Sequence, residues 1–78
     1  MSVQYRVVVA KQDERIEGPD GADLVLSVPV AVASDEAFDA TVEFMRGRLK
    51  ATGHTGAVLE LLKSGEATLV ISRLASQP

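Results

Sequence analysis

The sequence predicts a small α+β domain, and three observations lead to this class. Two segments near the start of the chain alternate apolar and polar residues with the period of a β-strand. A longer segment in the middle has an apolar stripe with helical spacing, and turn-forming residues separate the segments. We expect the element order ββααβ, with ββαββ as the alternative, in which an antiparallel-containing sheet has one long helix packed on one face.

The 78 residues give room for one domain, so we expect residues 1–78 to form a single α+β unit. Residues 3–10 predict its first strand, because apolar side chains such as Tyr5 and Val7 alternate with Gln4 and Arg6. Residues 11–22 are polar and contain the run Gly-Pro-Asp-Gly, which favours a tight turn. We therefore expect a polar hairpin loop over 11–22.

Residues 23–32 predict a second strand. One of its faces is apolar throughout and consists of Leu24, Leu26, Val28, Val30 and Val32. Pro29 has no N–H to donate to a sheet, so this strand is expected to be an edge strand or to bulge at the proline.

Ser34 is a good N-cap, and the acids after it suit the positive end of a helix dipole. The helix is expected to run to about residue 51 and to end at Gly53. Its core-facing stripe has helical spacing and consists of Phe38, Val42, Met45 and Leu49.

Two interpretations are open for residues 54–65, a short helix or a strand. The helix is favoured because Ala, Leu, Glu and Lys prefer helices, with Thr55 as a candidate N-cap and Gly65 as a candidate stop. Residues 66–74 are interpreted as the last strand, because Leu69 and Ile71 alternate with more polar neighbours. Residues 75–78 are expected to be a frayed tail.

The composition excludes several functional classes. The net charge of −3 argues against a dedicated nucleic-acid binder, and no apolar run reaches the ~18–20 residues of a membrane span. The absence of cysteine excludes a thiol nucleophile and a cysteine zinc site, and it is compatible with a cytoplasmic location. The first ten residues show no signal-peptide pattern.

The sequence also lacks the combination of residues that nucleophilic catalysis needs. His54 is the sole histidine and therefore the sole candidate base for a serine nucleophile, and none of the serines lies in a nucleophile-elbow context. We therefore predict no catalytic residue, no metal site and no cofactor, which favours a protein that is not an enzyme.

The leading functional hypothesis is a small interaction or regulatory module that acts as a homo-oligomer, with itself and another protein as partners. A core in a chain of about 70–80 residues rarely supplies more than ~3–5 kcal/mol, and self-association is a common remedy. The predicted partner-binding residues are Phe44, which lies beside the helix stripe, and three valines of the uncovered sheet face, Val8, Val25 and Val70. For Phe44 a second interpretation is open, in which it only widens the core-facing side of the helix.

The alternative hypothesis is a small-anion or nucleotide binder at the turn over residues 52–56. Backbone N–H groups at the start of a helix, His54 and Thr55 would face the anion, with Arg46 and Lys50 nearby. The same residues are also typical of a plain connector, in which a glycine ends one helix and Thr55 caps the next.

Overall fold

Four strands form one mixed sheet in the computed structural model, which describes residues 2–76. β1 (Val3–Ala10) pairs antiparallel with β2 (Asp13–Glu17) and parallel with β3 (Leu24–Pro29). β4 (Lys50–Thr52) pairs antiparallel with β3, so the strand order is β2-β1-β3-β4. The predicted α+β class is confirmed, whereas the predicted order of elements is not.

The hairpin loop predicted over residues 11–22 is wrong for residues 13–17, which form β2. Four of these five residues are charged, so no apolar alternation marks them; their backbone pairing with β1 makes them a strand. The turn chemistry at residues 18–21 is real, but it connects β2 to β3. For that reason β1 and β3 run parallel and do not form a hairpin.

The second strand ends earlier than predicted, at Pro29, and a helical turn, α1 (Val30–Ala33), replaces residues 30–32 of the expected strand. Pro29 cannot continue a ladder as a donor, and it caps α1 in an extended conformation. β3 is also a central strand, not an edge strand. It tolerates the proline because β4 pairs only as far as Ser27.

The helix predicted over residues 34–51 is wrong, because only α2 (Ala40–Met45) forms there. The Asp39 carboxylate accepts the N–H groups of Thr41 at 2.9 Å and Val42 at 3.3 Å and starts α2, while Ser34 ends α1 instead. Gly47, at φ 78°, then stops α2 six residues before Gly53.

The end of α2 is a Schellman motif, which is the physical reason that the long helix does not form. The N–H of Gly47 donates to the Phe44 carbonyl at 3.2 Å, and the N–H of Arg48 donates to the Glu43 carbonyl at 2.9 Å. The predicted stripe is divided as a result. Phe38 and Leu49 are buried, whereas Met45 is 75% exposed.

Two helices complete the chain, α3 (Thr55–Ser64) and α4 (Glu66–Ala75), joined at Gly65. The helix favoured for residues 54–65 is confirmed over 55–64. The strand predicted over 66–74 is wrong, because the buried positions Ala67, Ile71 and Leu74 have helical spacing. Of the expected frayed tail, Ala75 ends α4 and Ser76 caps it, and residues 77–78 lie outside the described residues.

The sheet has two different faces. The helix-covered face consists of Tyr5, Val7, Leu24, Leu26 and Val28, which are buried in one core with side chains of α3 and α4. The alternate residues of the same strands, including Arg6, Val8, Val25 and Ser27, form what we call the open face. None of the helices within residues 2–76 is long and apolar enough to cross a bilayer.

Candidate functional site

A pocket of about 400 Å³ lies at one end of the open face. The ends of β1 and β3, the helical turn α1, and the segment from the α2 turn into β4 all contribute to it. Its lining residues are Val8, Ser27, Pro29, Val32, Gly47, Arg48 and Lys50. Ligand sites in proteins are typically concave, about 300–1,000 Å³ in volume and mostly apolar, and this pocket lies within that range.

Apolar side chains form one part of the pocket wall. Val8 and Pro29 are paired partners in the β1–β3 register, so they lie side by side on the open face. Val32 joins them from α1, whose turn begins directly after the proline. Pro29 is exposed, and Val8 and Val32 are half-buried, so this apolar surface is accessible to a ligand.

Two cations form another part of the wall. Lys50 is the β4 partner of Ser27, which places it beside the pocket on the sheet. Arg48 follows Gly47 in the Schellman turn and lies two residues before β4 begins. The pocket therefore combines an apolar surface with positive charge and one hydroxyl, that of Ser27.

Glu43 holds the arginines of this region. Its carboxylate lies 3.8 Å from Nε of Arg48 and 3.9 Å from a terminal nitrogen of Arg46. The residue is only 8% exposed, and among the described residues its Oε2 has no hydrogen-bond partner. A buried carboxylate without hydrogen bonds depends on nearby positive charge, so Glu43 draws both arginines toward the end of α2.

The other end of the open face is covered by the loop between β2 and β3. Gln4 is 1% exposed, and its Nε2 donates to the Pro19 carbonyl at 3.3 Å and to Oδ1 of Asp20 at 3.1 Å. Arg6 donates from Nε to Oε1 of Gln4 at 2.7 Å. The loop approaches β1 so closely that a Cβ on Gly18 would collide with the Val3 carbonyl oxygen. The pocket is thus left at the uncovered end.

The four predicted partner-binding residues do not share one surface. Val8 lines the pocket, and Val25 lies on the open face outside the pocket lining. Phe44 and Val70 are half-buried and pack against the core beneath the helices. The position of Phe44 beside the predicted stripe reflects a wider core contact, which the sequence alone could not separate from an interface.

The predicted anion-binding residues are also dispersed over separate elements. Lys50 lines the pocket from β4, whereas Arg46 caps α2, so the two cations do not lie on one helix. His54 is the N-cap of α3 without a side-chain capping bond, and Thr55 is the first residue of that helix; both are exposed. The turn at residues 52–56 is therefore a connector, with a strand in place of the expected helix before it.

Sequence reasoning missed most of the pocket. Pro29, Val32 and Arg48 are not predicted as site residues, because nothing in their local sequence shows that a parallel pairing brings β1 beside the end of β3. A usable signal was present in Gly47, since a glycine flanked by two arginines inside an expected helix indicates a stop and a turn.

The fold resembles that of a solved structure from Thermus thermophilus. This is a conserved hypothetical protein described as a possible sterol carrier protein, and the likeness has a TM-score of 0.58 at 20% sequence identity. The match covers 99% of this chain and 71% of the other. The likeness establishes the fold of the chain.

A weaker likeness is to apo sterol carrier protein 2 from Yarrowia lipolytica, with a TM-score of 0.47 and 15% identity, over 99% of this chain and 70% of the other. That second likeness establishes nothing further. No protein-family model matches the sequence, and no curated protein matches it either.

The comparison overturns both functions that the sequence suggested. The protein from Thermus thermophilus that shares the fold is described as a possible carrier of sterol, neither as a homo-oligomeric interaction module nor as an anion or nucleotide binder. Both hypotheses are therefore wrong. They rested on a sheet face and a helix end that this fold arranges differently, as the positions of Val70 and Arg46 show.

Proposed function

We propose that this protein binds a small lipid and that the apolar part of the ligand occupies the open-face pocket. The observation that carries the proposal is the pocket of about 400 Å³ whose apolar surface, formed by Val8, Pro29 and Val32, remains accessible while the core beneath the helices is closed. The likeness of the fold to a possible sterol carrier supports a ligand of the lipid class.

The chemistry of the pocket suits a ligand with one apolar and one polar end. Burial of apolar ligand surface contributes about 25 cal/mol per Å², which favours occupation of the apolar wall. Ser27, Arg48 and Lys50 offer hydrogen-bond donors beside it, so the polar end of the ligand keeps its partners. This arrangement orients the ligand, because its apolar end fits the apolar wall and its polar end fits the wall with the hydrogen-bond donors.

Titration with the fluorescent fatty acid cis-parinaric acid tests the proposal. We expect a saturable rise in fluorescence with the unmodified chain. Val8→Asp places a carboxylate in the apolar wall and should weaken binding about tenfold or more, because the apolar part of the ligand would desolvate that charge. Val25→Asp is the matched control, since it introduces the same charge on the same face outside the pocket lining.

Circular dichroism and thermal unfolding would first establish that both variants keep the fold. Loss of binding in Val8→Asp alone is the supporting result. Equal affinities of the two folded variants, or fluorescence that rises without saturation, would contradict a site in this pocket.

A cytoplasmic location is part of the same proposal. The cysteine-free sequence is compatible with a reducing compartment. Fractionation of cells that express the tagged chain would test it, and recovery of the chain outside the cytoplasm would contradict it.

A further inference from the structure

We propose that residues 45–50, which run from the last residue of α2 through the turn to the first residue of β4, dock the pocket on an anionic lipid bilayer. The inference rests on the proposed function, because docking would let a lipid pass between the membrane and the pocket. The inference depends on one juxtaposition, in which the same short segment both lines the pocket and presents exposed apolar and basic side chains. Gly47, Arg48 and Lys50 line the pocket, and the same short turn carries Met45 and Arg46 outward.

The turn has a fixed shape. Its two Schellman hydrogen bonds, from Gly47 to the Phe44 carbonyl and from Arg48 to the Glu43 carbonyl, hold it at the end of α2. Leu49 is buried and anchors the far side of the turn in the core. Met45 and the two arginines are therefore presented by a rigid support, and no large ordering penalty accompanies docking.

Met45 is the apolar element of the docking surface. It is 75% exposed although the chain is small and has few large apolar side chains to spare. Met45 lies two residues before the pocket-lining Gly47, and an exposed methionine can insert between lipid headgroups, where its burial contributes to binding. Leu69, which is 74% exposed on α4 and lies outside this turn, provides a matched comparison.

Charge selects the type of bilayer. The chain has a net charge of −3, yet residues 44–59 contain Arg46, Arg48 and Lys50 and no acidic residue. Glu43, the acid that faces these arginines, is buried at the end of α2, while both arginine side chains are more than half exposed. Of the eleven acidic residues, five lie on β2 and the loop that follows it, and three more lie between α1 and α2. This local positive charge is complementary to phosphatidylserine headgroups.

Vesicle flotation with the purified full chain tests the docking surface. Vesicles of phosphatidylcholine alone are compared with vesicles of equal parts phosphatidylcholine and phosphatidylserine. We expect the chain to float with the anionic vesicles and to be released as salt is raised.

Removing a positive charge should weaken vesicle binding only where that charge lies on the docking turn. Arg46→Gln lies outside the pocket lining and should reduce the vesicle partition coefficient about fivefold. Lys63→Gln removes the same charge from the exposed end of α3 and should leave the coefficient nearly unchanged. Met45→Ser should weaken binding measurably, whereas Leu69→Ser should not.

The results separate this inference from the proposed function. Equal partition into neutral and anionic vesicles, or an equal effect of Arg46→Gln and Lys63→Gln, would overturn docking through the turn. If the chain binds cis-parinaric acid in solution yet floats with neither vesicle, docking is wrong and the pocket proposal stands. If it floats with anionic vesicles but binds no fatty acid, the proposed function is wrong.

Discussion

The two faces of the sheet are made from alternate residues of the same strands, and they differ in almost every physical respect. On the helix-covered face, Leu26 and Val28 are buried in a continuous apolar core with side chains of the helices. On the open face, their neighbours Val25 and Ser27 are half-buried, and a polar network around Gln4 occupies one end. One face stabilises the fold and the other leaves a pocket accessible.

This difference shows how a short chain can keep both stability and a binding surface. A strand has side chains on two sides, and only one side is needed to complete the core. The helix-covered face includes most of the fully buried large side chains. The open face is not needed to complete the core, so its shape and charge can differ, and it contains the pocket at Val8 and Pro29.

The largest expected effect compares adjacent residues of β3 on the two faces. Leu26→Ala should reduce the free energy of unfolding by about 2–5 kcal/mol, because it leaves a cavity in the closed core. Val25→Ala should cost about 1 kcal/mol or less, since the open face can relax or hydrate. Urea unfolding of both variants measures this, and similar losses at the two positions would show that the faces are not distinct.

The next effect concerns the loop that covers part of the open face. Gly18→Ala should destabilise the protein by about 2 kcal/mol or more, because Gly18 has φ 111° and a Cβ there would collide with the Val3 carbonyl. Gly21→Ala should cost only about 1 kcal/mol, since φ is also positive but the space is open. Thermal unfolding would test the order, and an equal cost at both glycines would contradict the close contact of this loop.

A smaller effect is expected at the helix that leads into the pocket turn. Asp39→Ala removes the carboxylate that accepts the Thr41 and Val42 N–H groups and should cost about 1 kcal/mol. Asp39→Asn should keep most of the stability, because an amide oxygen also caps a helix well. If the asparagine variant were as unstable as the alanine variant in urea unfolding, capping would not explain the residue.

The smallest effect is a pH dependence that originates on the helix-covered face. Burial, reinforced by the negative charges of Glu66 and Glu17, raises the pKa of the Tyr5 hydroxyl. The unfolded chain therefore loses this proton first, so stability should hold below about pH 10 and decline as pH rises through the folded pKa. Tyr5 is the one tyrosine, so tyrosinate absorbance of the folded and urea-unfolded chain reports it directly.

A matched variant isolates this contribution. Tyr5→Phe keeps the ring in the core and removes the ionising group, so the decline of stability at alkaline pH should become shallower. A tyrosinate midpoint in the folded chain at or below that of the unfolded chain would contradict the raised pKa.

The local sequence predicts an element correctly where its apolar residues fit either the strand period or the helix period but not both. β1 has the bounds that its sequence predicts, since the alternation of Tyr5 and Val7 with polar residues has no helical alternative. α4 was missed because its apolar run fits both periods over a few residues. The alternation of Leu69 with Ile71 resembled a strand, although Ala67, Ile71 and Leu74 match a helix equally well.

The candidate site could not be predicted from local sequence patterns, because it depends on the pairing of distant strands. Val8 and Pro29 become neighbours only through the parallel pairing of β1 with β3, and β2 had to be recognised first for that pairing to be expected. β2 carries almost no hydrophobic signal, so its existence depends on its pairing with β1 and not on its own sequence pattern. The spacing of apolar and turn residues indicates a small α+β domain, but it does not show which residues meet at the pocket.

The strand order has a consequence for behaviour at high protein concentration. The outermost strands of a sheet present unpaired backbone groups that can template aggregation with another molecule. Here one of them, β2, is charged at four of its five residues, and the other, β4, is three residues long and begins with a lysine. Neither is a good template, so both edges of the sheet disfavour extension into a neighbouring copy at high concentration.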